Sequence, residues 1–481
     1  MDDVKELTIV KKINDKKKKE IIKNIGKTLT IVVFVIASIV VANKHEHWSD
    51  EAQSFLLARD NSLFELYGYM KYEGTPPLWV TVLKMFICLG GTYETLFILP
   101  IIFSIIGLII FEFKIKAPWY IKVLLPFTYF VFYQYTIVAR SYCMVFPMLM
   151  FVALIYEKRF EKPILYAIIL FFLMNISLHT LIISGSLYLI FLIDMFKNKK
   201  YKEKRIIVAC ILIFMELFLA MLCTIPASDC AYVPNSGENL PHVILEATMG
   251  SNSHELFELI MAIIIIEILV VTLKKNQIIN FFILMVPVVA VLMFITFQGW
   301  HIGIVWLILF TSLIINNSIN KNIVIKIFVV IICLTQIYWT ISSVNYDFNN
   351  NYSASKNIAE FLKENNYEEK KIYGLGYSIT AILPYFEQNI FENQNTDKSF
   401  WFWRENKGYM TGQEILDNEA DIYIISKFYV WQYYQIMNEL YNRGYTRLEF
   451  VGHTYIKTDI YESEGYYLYT KNPEILEKYG Y

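Results

Sequence analysis

Hydrophobic residues form long runs between Leu29 and Val344, and short charged or polar breaks separate these runs. Most runs approach the roughly 20 apolar residues that a helix needs to cross a bilayer. Eleven segments are predicted as transmembrane helices: 28–43, 93–111, 119–136, 141–156, 163–178, 181–196, 206–225, 257–273, 278–297, 302–315 and 322–343. The pattern therefore predicts a polytopic α-helical membrane protein with about 11 transmembrane helices.

The apolar segment 77–89 is predicted to lie on the membrane surface, because it is short, follows two prolines and carries Lys84. With a cytoplasmic N-terminus, this choice places the lysine-rich loops on the cytoplasmic side, as the positive-inside rule requires. The loop 226–256, which has no Lys or Arg, then lies outside. If 77–89 also crossed the membrane, every later loop would change sides, so the charges favour eleven crossings.

This topology divides the chain into three parts. Residues 1–27 form a basic cytoplasmic tail, 28–345 the transmembrane domain and 346–481 an extracytoplasmic domain. The transmembrane domain includes a first outer loop at 44–92, with helices beside the membrane, and a long outer loop at 226–256. In the last part, helices are predicted at 354–364 and 431–441 and strands at 371–374, 421–425 and 449–451, which together indicate a small α/β domain.

Composition excludes several classes of protein. Hydrophobic residues make up 56% of the 481 positions and charged residues only 18%, against about 25% in soluble domains. The net charge of −1 argues against nucleic-acid binding, which needs a basic surface. The six cysteines lack metal-ligand spacing, and a pairing of Cys223 with Cys230 is left open.

Polar residues gather at the predicted outer ends of the helices. In the first outer loop, Ser49 is a candidate N-cap that places Asp50 and Glu51 in the first turn of a helix. Acids at that position also simply complement a helix dipole, so they do not identify a site alone. Arg59 ends the same run, and Glu73 precedes the turn back to the membrane.

Three more polar side chains come from distant helix ends on the same predicted face. Arg140 lies between two spans, His179 between the next two, and His301 at the start of a later span. Each alone has an ordinary explanation, since an interfacial Arg extends to the headgroups and a His often caps a helix. Together with the acids they supply base, acid and cation candidates on one face of one membrane.

The chain resembles the GT-C superfamily of membrane glycosyltransferases, and is similar to protein O-mannosyltransferases and to the aminoarabinose transferase of lipid A. The motifs that carry the resemblance are Asp50-Glu-Ala-Gln with Leu-Leu-Ala-Arg-Asp60, Glu73-Gly-Thr-Pro-Pro-Leu-Trp79, and, more weakly, Gln134–Tyr142, Leu178–Leu181 and Trp300–Gly303. The resemblance covers most of the membrane part and, loosely, the C-terminal domain.

The resemblance implies an inverting transferase of the cell membrane that takes a sugar from a polyprenyl-phosphate donor. The acceptor is an unknown glycan, lipid or protein. Asp50 matches the family's first acid and is the expected general base, with Glu51 in support. Arg140 is the first candidate to stabilise the lipid phosphate, and Arg59, Glu73, His179 and His301 are further substrate-binding candidates.

Two departures from the family bear on metals. Relatives often have His where this chain has Thr75, and an acidic metal-ligand candidate where it has Val138. We therefore expect side chains rather than a tightly held ion to stabilise the phosphate, and no cofactor. A divalent-cation site built from His45, His47, Asp50 and Glu51 stays an alternative.

A transporter or flippase of lipid-linked saccharides is the alternative function. Glu216 and Glu267 lie near the middle of their predicted spans, where acids are costly and are expected to be protonated or paired inside the helix bundle. They are the candidate coupling groups of a carrier. The chain shows no internal repeat and concentrates its polar groups at one surface, so the sequence favours the enzyme.

Overall fold

The computed structural model describes residues 2–232, 238–251, 254–295 and 298–472. Most of the chain is helical. The α-helices are α1 Asp2–Ala42, α2 Ser49–Asp60, α3 Leu63–Glu73, α4 Leu78–Cys88, α5 Ile98–Phe113, α6 Trp119–Leu124, α7 Val145–Ile155, α8 Pro163–Met174, α9 Leu178–Lys197, α10 Lys204–Thr224, α11 Leu240–Thr248, α12 Glu255–Thr272, α13 Lys275–Phe294, α14 Gly303–Ile315, α15 Ser318–Lys321, α16 Ile323–Asn349, α17 Ser355–Glu364, α18 Gly412–Asp417 and α19 Tyr434–Asn442.

Six helical segments in the described ranges are long and apolar enough to cross a membrane: Glu20–Ala42, Ser141–Lys158, Leu178–Lys197, Lys204–Thr224, Gln277–Phe294 and Ile323–Asn349. Four shorter apolar helices accompany them, namely α4, α5, α8 and α14. Helical structure occurs at each of the eleven predicted spans. The membrane character of the chain thus has structural support, while the number of eleven crossings stays a prediction.

One predicted span is not a regular α-helix. The segment begins as α6, tightens into a 3₁₀ turn at Leu125–Phe127, and ends as a π-helix over Phe130–Ile137. Pro126 lies in the 3₁₀ turn and lacks the amide hydrogen that would continue the α-helical pattern. Long π-helices are rare and frequently occur at functional sites. This one leads directly to Arg140.

The segment 44–92, predicted as the first outer loop, contains helices α2, α3 and α4. The prediction of Ser49 as N-cap is wrong, because Trp48 holds the extended cap position and Ser49 is the first helical residue. The Glu51 carboxylate accepts a hydrogen bond from the Trp48 amide at 3.1 Å. This bond pairs a backbone N–H that has no partner within the helix. The Ser49 hydroxyl is thereby free to donate to Glu464 Oε1 at 2.7 Å.

The C-terminal region contains a four-stranded mixed sheet. The strands are β1 Ile372–Leu375, β2 Ile422–Ser426, β3 Thr446–Phe450, β4 Thr454–Ile456, β5 Asp459–Tyr461 and β6 Tyr466–Thr470. The sheet order is β1-β2-β6-β3, with β1 and β2 parallel and the other pairs antiparallel. The strands predicted at 371–374 and 421–425 are confirmed. The strand predicted at 449–451 begins earlier, at Thr446.

The remaining two strands, β4 and β5, form a hairpin that packs on the membrane helices. Tyr455 of β4 stacks on Tyr346 of α16 with ring centroids 4.5 Å apart. At the hairpin tip, the buried Lys457 ammonium forms an ion pair with Glu246 of α11. The C-terminal region therefore contacts the membrane helices directly, and it contributes side chains to their outer-loop surface.

Candidate functional site

Asp50 lies in the first turn of α2 and is held through both carboxylate oxygens. Arg140 Nη1 lies 2.7 Å from Oδ2, and the Tyr377 hydroxyl donates to Oδ1 at 3.0 Å. The three residues come from α2, the segment after the π-helix, and the turn after β1. Because 20% of the Asp50 side chain and 19% of the Arg140 side chain remain exposed, a substrate has access to the pair.

The Arg140 guanidinium lies among aromatic rings. Its central carbon is 5.7 Å from the ring centroid of Trp48, 5.4 Å from Tyr142 and 5.2 Å from Trp300. Burial alone would lower the pKa of Arg140, but the Asp50 carboxylate raises it above its usual range. The group is therefore a permanent, planar cation in a fixed orientation, which suits it to a phosphate.

His179 and His301 lie next to each other, and the Tyr142 ring contacts both His301 and Arg140. The two imidazole centroids are 4.5 Å apart, and the His301 ring is 5.6 Å from that of Tyr142. Both nitrogens of the buried His179 ring have no hydrogen-bond partner among the described residues. Buried polar atoms are nearly always paired, so the unpaired His179 ring is a position where a water molecule or a ligand is expected.

Glu73 is a second carboxylate of this cluster. Gln53, one helical turn beyond Asp50, donates to Glu73 Oε1 at 2.8 Å. Burial raises the pKa of Glu73 to about 7, against the lowering effect of the Gln53 hydrogen bond, and the negative charge of Asp50 adds to the rise. Glu73 therefore exchanges a proton near neutral pH, whereas Asp50 is paired with a cation.

Glu51 is fully buried and cannot reach a substrate. Its carboxylate accepts from His47 Nδ1 at 2.8 Å and from the Ala139 amide at 2.6 Å. Burial would raise the pKa of Glu51, but the neighbouring histidines His47 and His45 lower it below its usual range. Glu51 thus joins the start of α2 to the residue before Arg140, which positions the Asp50–Arg140 pair.

The two histidines of the alternative cation site belong to the buried network around Glu51 and Asp347. His45 Nδ1 lies 3.1 Å from Asp347 Oδ2, and the Tyr133 hydroxyl donates to the same carboxylate at 2.9 Å. Burial would lower the pKa of His45, but Asp347 and Glu51 raise it to about 10. Across the described residues, no three His, Cys, Asp or Glu side chains are arranged to hold a metal ion.

Arg59 does not join the cluster. It lies nine residues after Asp50 on α2, which is about 14 Å along the helix axis. Its guanidinium donates to the Phe386 carbonyl and to Ser399 Oγ, both at 2.7 Å, and its Nε pairs with Asp60 at 2.6 Å. Arg59 is therefore an anchor between the far end of α2 and the C-terminal region, and its prediction as a substrate-binding residue is not supported by its position.

The two intramembrane acids are not brought together. Glu216 is half-buried on α10, which packs against α8 and α9, and Glu267 is on α12, which packs against α11 and α16. The Glu267 side chain is exposed on the outside of the bundle, so the expectation that both acids lie inside is wrong for Glu267. Cys223 and Cys230 are both free thiols.

Sequence reasoning missed two groups that complete the site. Tyr377 contacts Asp50 from a turn more than 300 positions away, and no local pattern marks it. The backbone of Trp401 binds Gln53 twice, with its amide donating at 2.8 Å and its carbonyl accepting at 2.9 Å. A sequence feature that could have drawn attention to this segment is the run Phe-Trp-Phe-Trp at 400–403 within a polar stretch.

No family model, curated protein or solved structure matches the chain.

Proposed function

We propose that the protein is a glycosyltransferase that moves a sugar from a polyprenyl-phosphate donor to an acceptor at the outer face of the membrane. The observation that carries this proposal is the ion pair between Asp50 and Arg140, 2.7 Å apart and partly open. Glu73 interacts electrostatically with both members of the pair, and the Tyr142 ring contacts both Arg140 and His301. A carboxylate for the acceptor and a cation for the departing phosphate are the two groups that this reaction needs.

The membrane position supports a lipid-linked donor. The basic loops predicted on one side leave the first outer loop on the other side, away from cytoplasmic nucleotide sugars. The lipid phosphate of a prenyl carrier lies at headgroup depth, and Arg140 follows a helical segment that ends at the outer-loop helices. The site therefore suits a donor that arrives laterally through the membrane.

In the proposed step, Asp50 accepts the proton of the acceptor hydroxyl while the hydroxyl oxygen forms a bond to the anomeric carbon. The bond from that carbon to the phosphate oxygen breaks on the opposite side, and its electron pair leaves with the polyprenyl phosphate. Arg140 stabilises the added negative charge, and His179 and His301 supply further hydrogen bonds to the phosphate. The anomeric configuration is inverted.

Glu73 has a separate role in this proposal. Its pKa of about 7 allows it to receive the proton from the Asp50 region and release it to water between turnovers. Two carboxylates in different environments, one paired with Arg140 and one buried beside Gln53, are a common arrangement for acid–base work. Glu51 positions the pair and does not contact the substrate.

The test is an assay of the purified full chain in lipid nanodiscs with a panel of polyprenyl-phosphate hexoses and pentoses, with a membrane glycolipid fraction as acceptor. We expect release of free polyprenyl phosphate from one donor class, and loss of this release in the double variant D50N/E73Q. A chain that cleaves no donor, or a double variant that cleaves it equally well, would contradict the proposal. A carrier would move the donor between leaflets without cleavage.

A further inference from the structure

The segment 399–410, here called the aromatic loop, crosses the outer-loop helices next to the candidate site. It alternates its rings between two faces. Phe400 and Phe402 face inward, with centroids 4.9 and 6.1 Å from the ring of Tyr69 on α3. Trp401 and Trp403 face Tyr377, with centroids 6.1 and 5.0 Å from its ring. Because Tyr377 binds Asp50, the two indoles extend the site outward.

The main-chain groups of Trp401 and Trp403 in the aromatic loop are already hydrogen-bonded within the protein. Trp401 binds Gln53 through both main-chain groups, the Trp403 amide donates to the Tyr69 hydroxyl at 3.2 Å, and the Trp403 carbonyl accepts from Ala231 at 3.2 Å. The loop is therefore fixed independently of its indole rings. A molecule that docks here meets half-buried ring faces rather than free backbone groups.

Polar groups surround these rings. Lys407 Nζ lies over the Trp401 ring, 4.0 Å from its centroid, and burial lowers the pKa of Lys407 to about 8. The Trp401 indole N–H is enclosed and has no acceptor among the described residues. Glu73 lies beyond Gln53 on the Asp50 side. The surface thus combines aromatic rings with the Lys407 cation, and the Glu73 carboxylate lies on its Asp50 side.

We propose that Trp401 and Trp403 form the acceptor platform of the transferase, and that the acceptor is a saccharide whose pyranose ring stacks on the indoles. This inference rests on the proposed function. A pyranose has apolar C–H faces that pack on aromatic rings and equatorial hydroxyls that bind donors and acceptors at the ring edge. From this platform, one hydroxyl of the stacked sugar reaches the carboxylates of Asp50 and Glu73.

Other acceptor classes fit this surface less well. An acyl chain would bury the Lys407 ammonium against hydrocarbon, which is unfavourable for a charged group. An extended Ser/Thr peptide is commonly held by main-chain hydrogen bonds to an exposed edge, but the amides of Trp401 and Trp403 are occupied. What remains available is the part of the two half-buried indoles that Lys407, Tyr377 and Tyr232 do not cover.

The test measures binding without donor or turnover. Chitopentaose, mannopentaose and maltopentaose, with a Ser/Thr-rich peptide for comparison, are titrated into the full chain in nanodiscs and followed by saturation-transfer NMR. We expect at least one oligosaccharide to bind, and binding to weaken about tenfold or more in W401L and in W403L. W401F, which keeps a ring, should retain most of the affinity. W119L, which changes a Trp that is 72% exposed on α6, is the matched control.

Failure of this inference is distinguishable from failure of the proposed function. D50N should lose sugar transfer but should still bind the oligosaccharide in a way that depends on Trp401 and Trp403, because it alters one hydroxyl contact and leaves both indoles in place. If no oligosaccharide binds, if the peptide binds instead, or if W401L and W403L bind as wild type does, the platform is refuted whatever the transfer assay gives.

Discussion

Two Asp–Arg ion pairs of nearly equal length lie in different parts of the molecule. Asp50 of α2 and Arg140 are 2.7 Å apart, and Asp194 of α9 and Arg159 are 2.6 Å apart. Both pairs are partly exposed, with side-chain exposures between 12 and 20%. Distance and burial therefore do not distinguish them.

The surroundings of the two pairs differ. Arg159 also donates to the Tyr156 carbonyl, and its guanidinium stacks 4.0 Å from the Tyr156 ring centroid, so it closes a short turn between neighbouring helices. Asp50 and Arg140 come from distant segments, and a second carboxylate and two imidazoles lie beside them. An ion pair therefore indicates a catalytic or binding site only where side chains from several distant segments converge on it.

The largest expected effect separates the two aspartates. D50N should lower sugar transfer by about 10²–10⁴-fold, because the acceptor hydroxyl loses the group that takes its proton. D194N removes an equally short ion pair and should change transfer by less than about threefold, since partly exposed pairs contribute little. Initial rates with the same lipid-linked donor measure both. Equal losses in the two variants would mean that Asp50 matters only for the fold.

A smaller effect concerns the pH dependence of transfer. Glu73 has a pKa of about 7 and needs to be ionised to accept a proton, so the rate should fall as pH decreases through that value. E73Q should lower the rate by about tenfold at neutral pH and flatten the profile between about pH 6 and 8. The exposed Glu94 provides the control, because E94Q should leave the profile unchanged. An unaltered profile in E73Q would remove Glu73 from proton transfer.

The smallest effect concerns stability where the C-terminal region meets α2. Burial raises the pKa of Glu464 to about 8, although Ser49 and Ser353 donate hydrogen bonds to it. The unfolded group ionises near 4.5, so between that pH and 8 unfolding releases a proton. Stability therefore falls as pH rises, by at most about 1.4 kcal/mol per pH unit. E464Q should reduce this slope in thermal unfolding, and E462Q at a side chain 72% exposed should keep it. An equal slope in E464Q would refute the assignment.

Much of the helical architecture follows from the sequence, because apolar runs of the right length specify helices whatever their partners. The proximity of Asp50 and Arg140 follows from their common position at helix ends, which requires only topology. Arg59 shares α2 with Asp50 but lies about 14 Å along it, so a common helix does not bring these two side chains together.

What the sequence did not predict depends on contacts between distant segments. Tyr377 reaches Asp50 only because the segment after β1 packs on α2. The Ser49 hydroxyl does not cap α2 and instead donates to the distant Glu464. The π-helix before Arg140 needs a packed bundle and has no simple sequence pattern. Such features are tertiary, and periodicity carries no information about them.

The most direct test of the central claim is the binding of polyprenyl phosphate without a sugar to the full chain in nanodiscs, measured with radiolabelled lipid. Wild type and R159A should bind it saturably with equal affinity, and R140A should bind it at least about tenfold more weakly, because a charge-assisted phosphate contact is lost. Binding by R140A that equals that of wild type, or an equal loss in R140A and R159A, would contradict the assignment of Arg140 to the lipid phosphate.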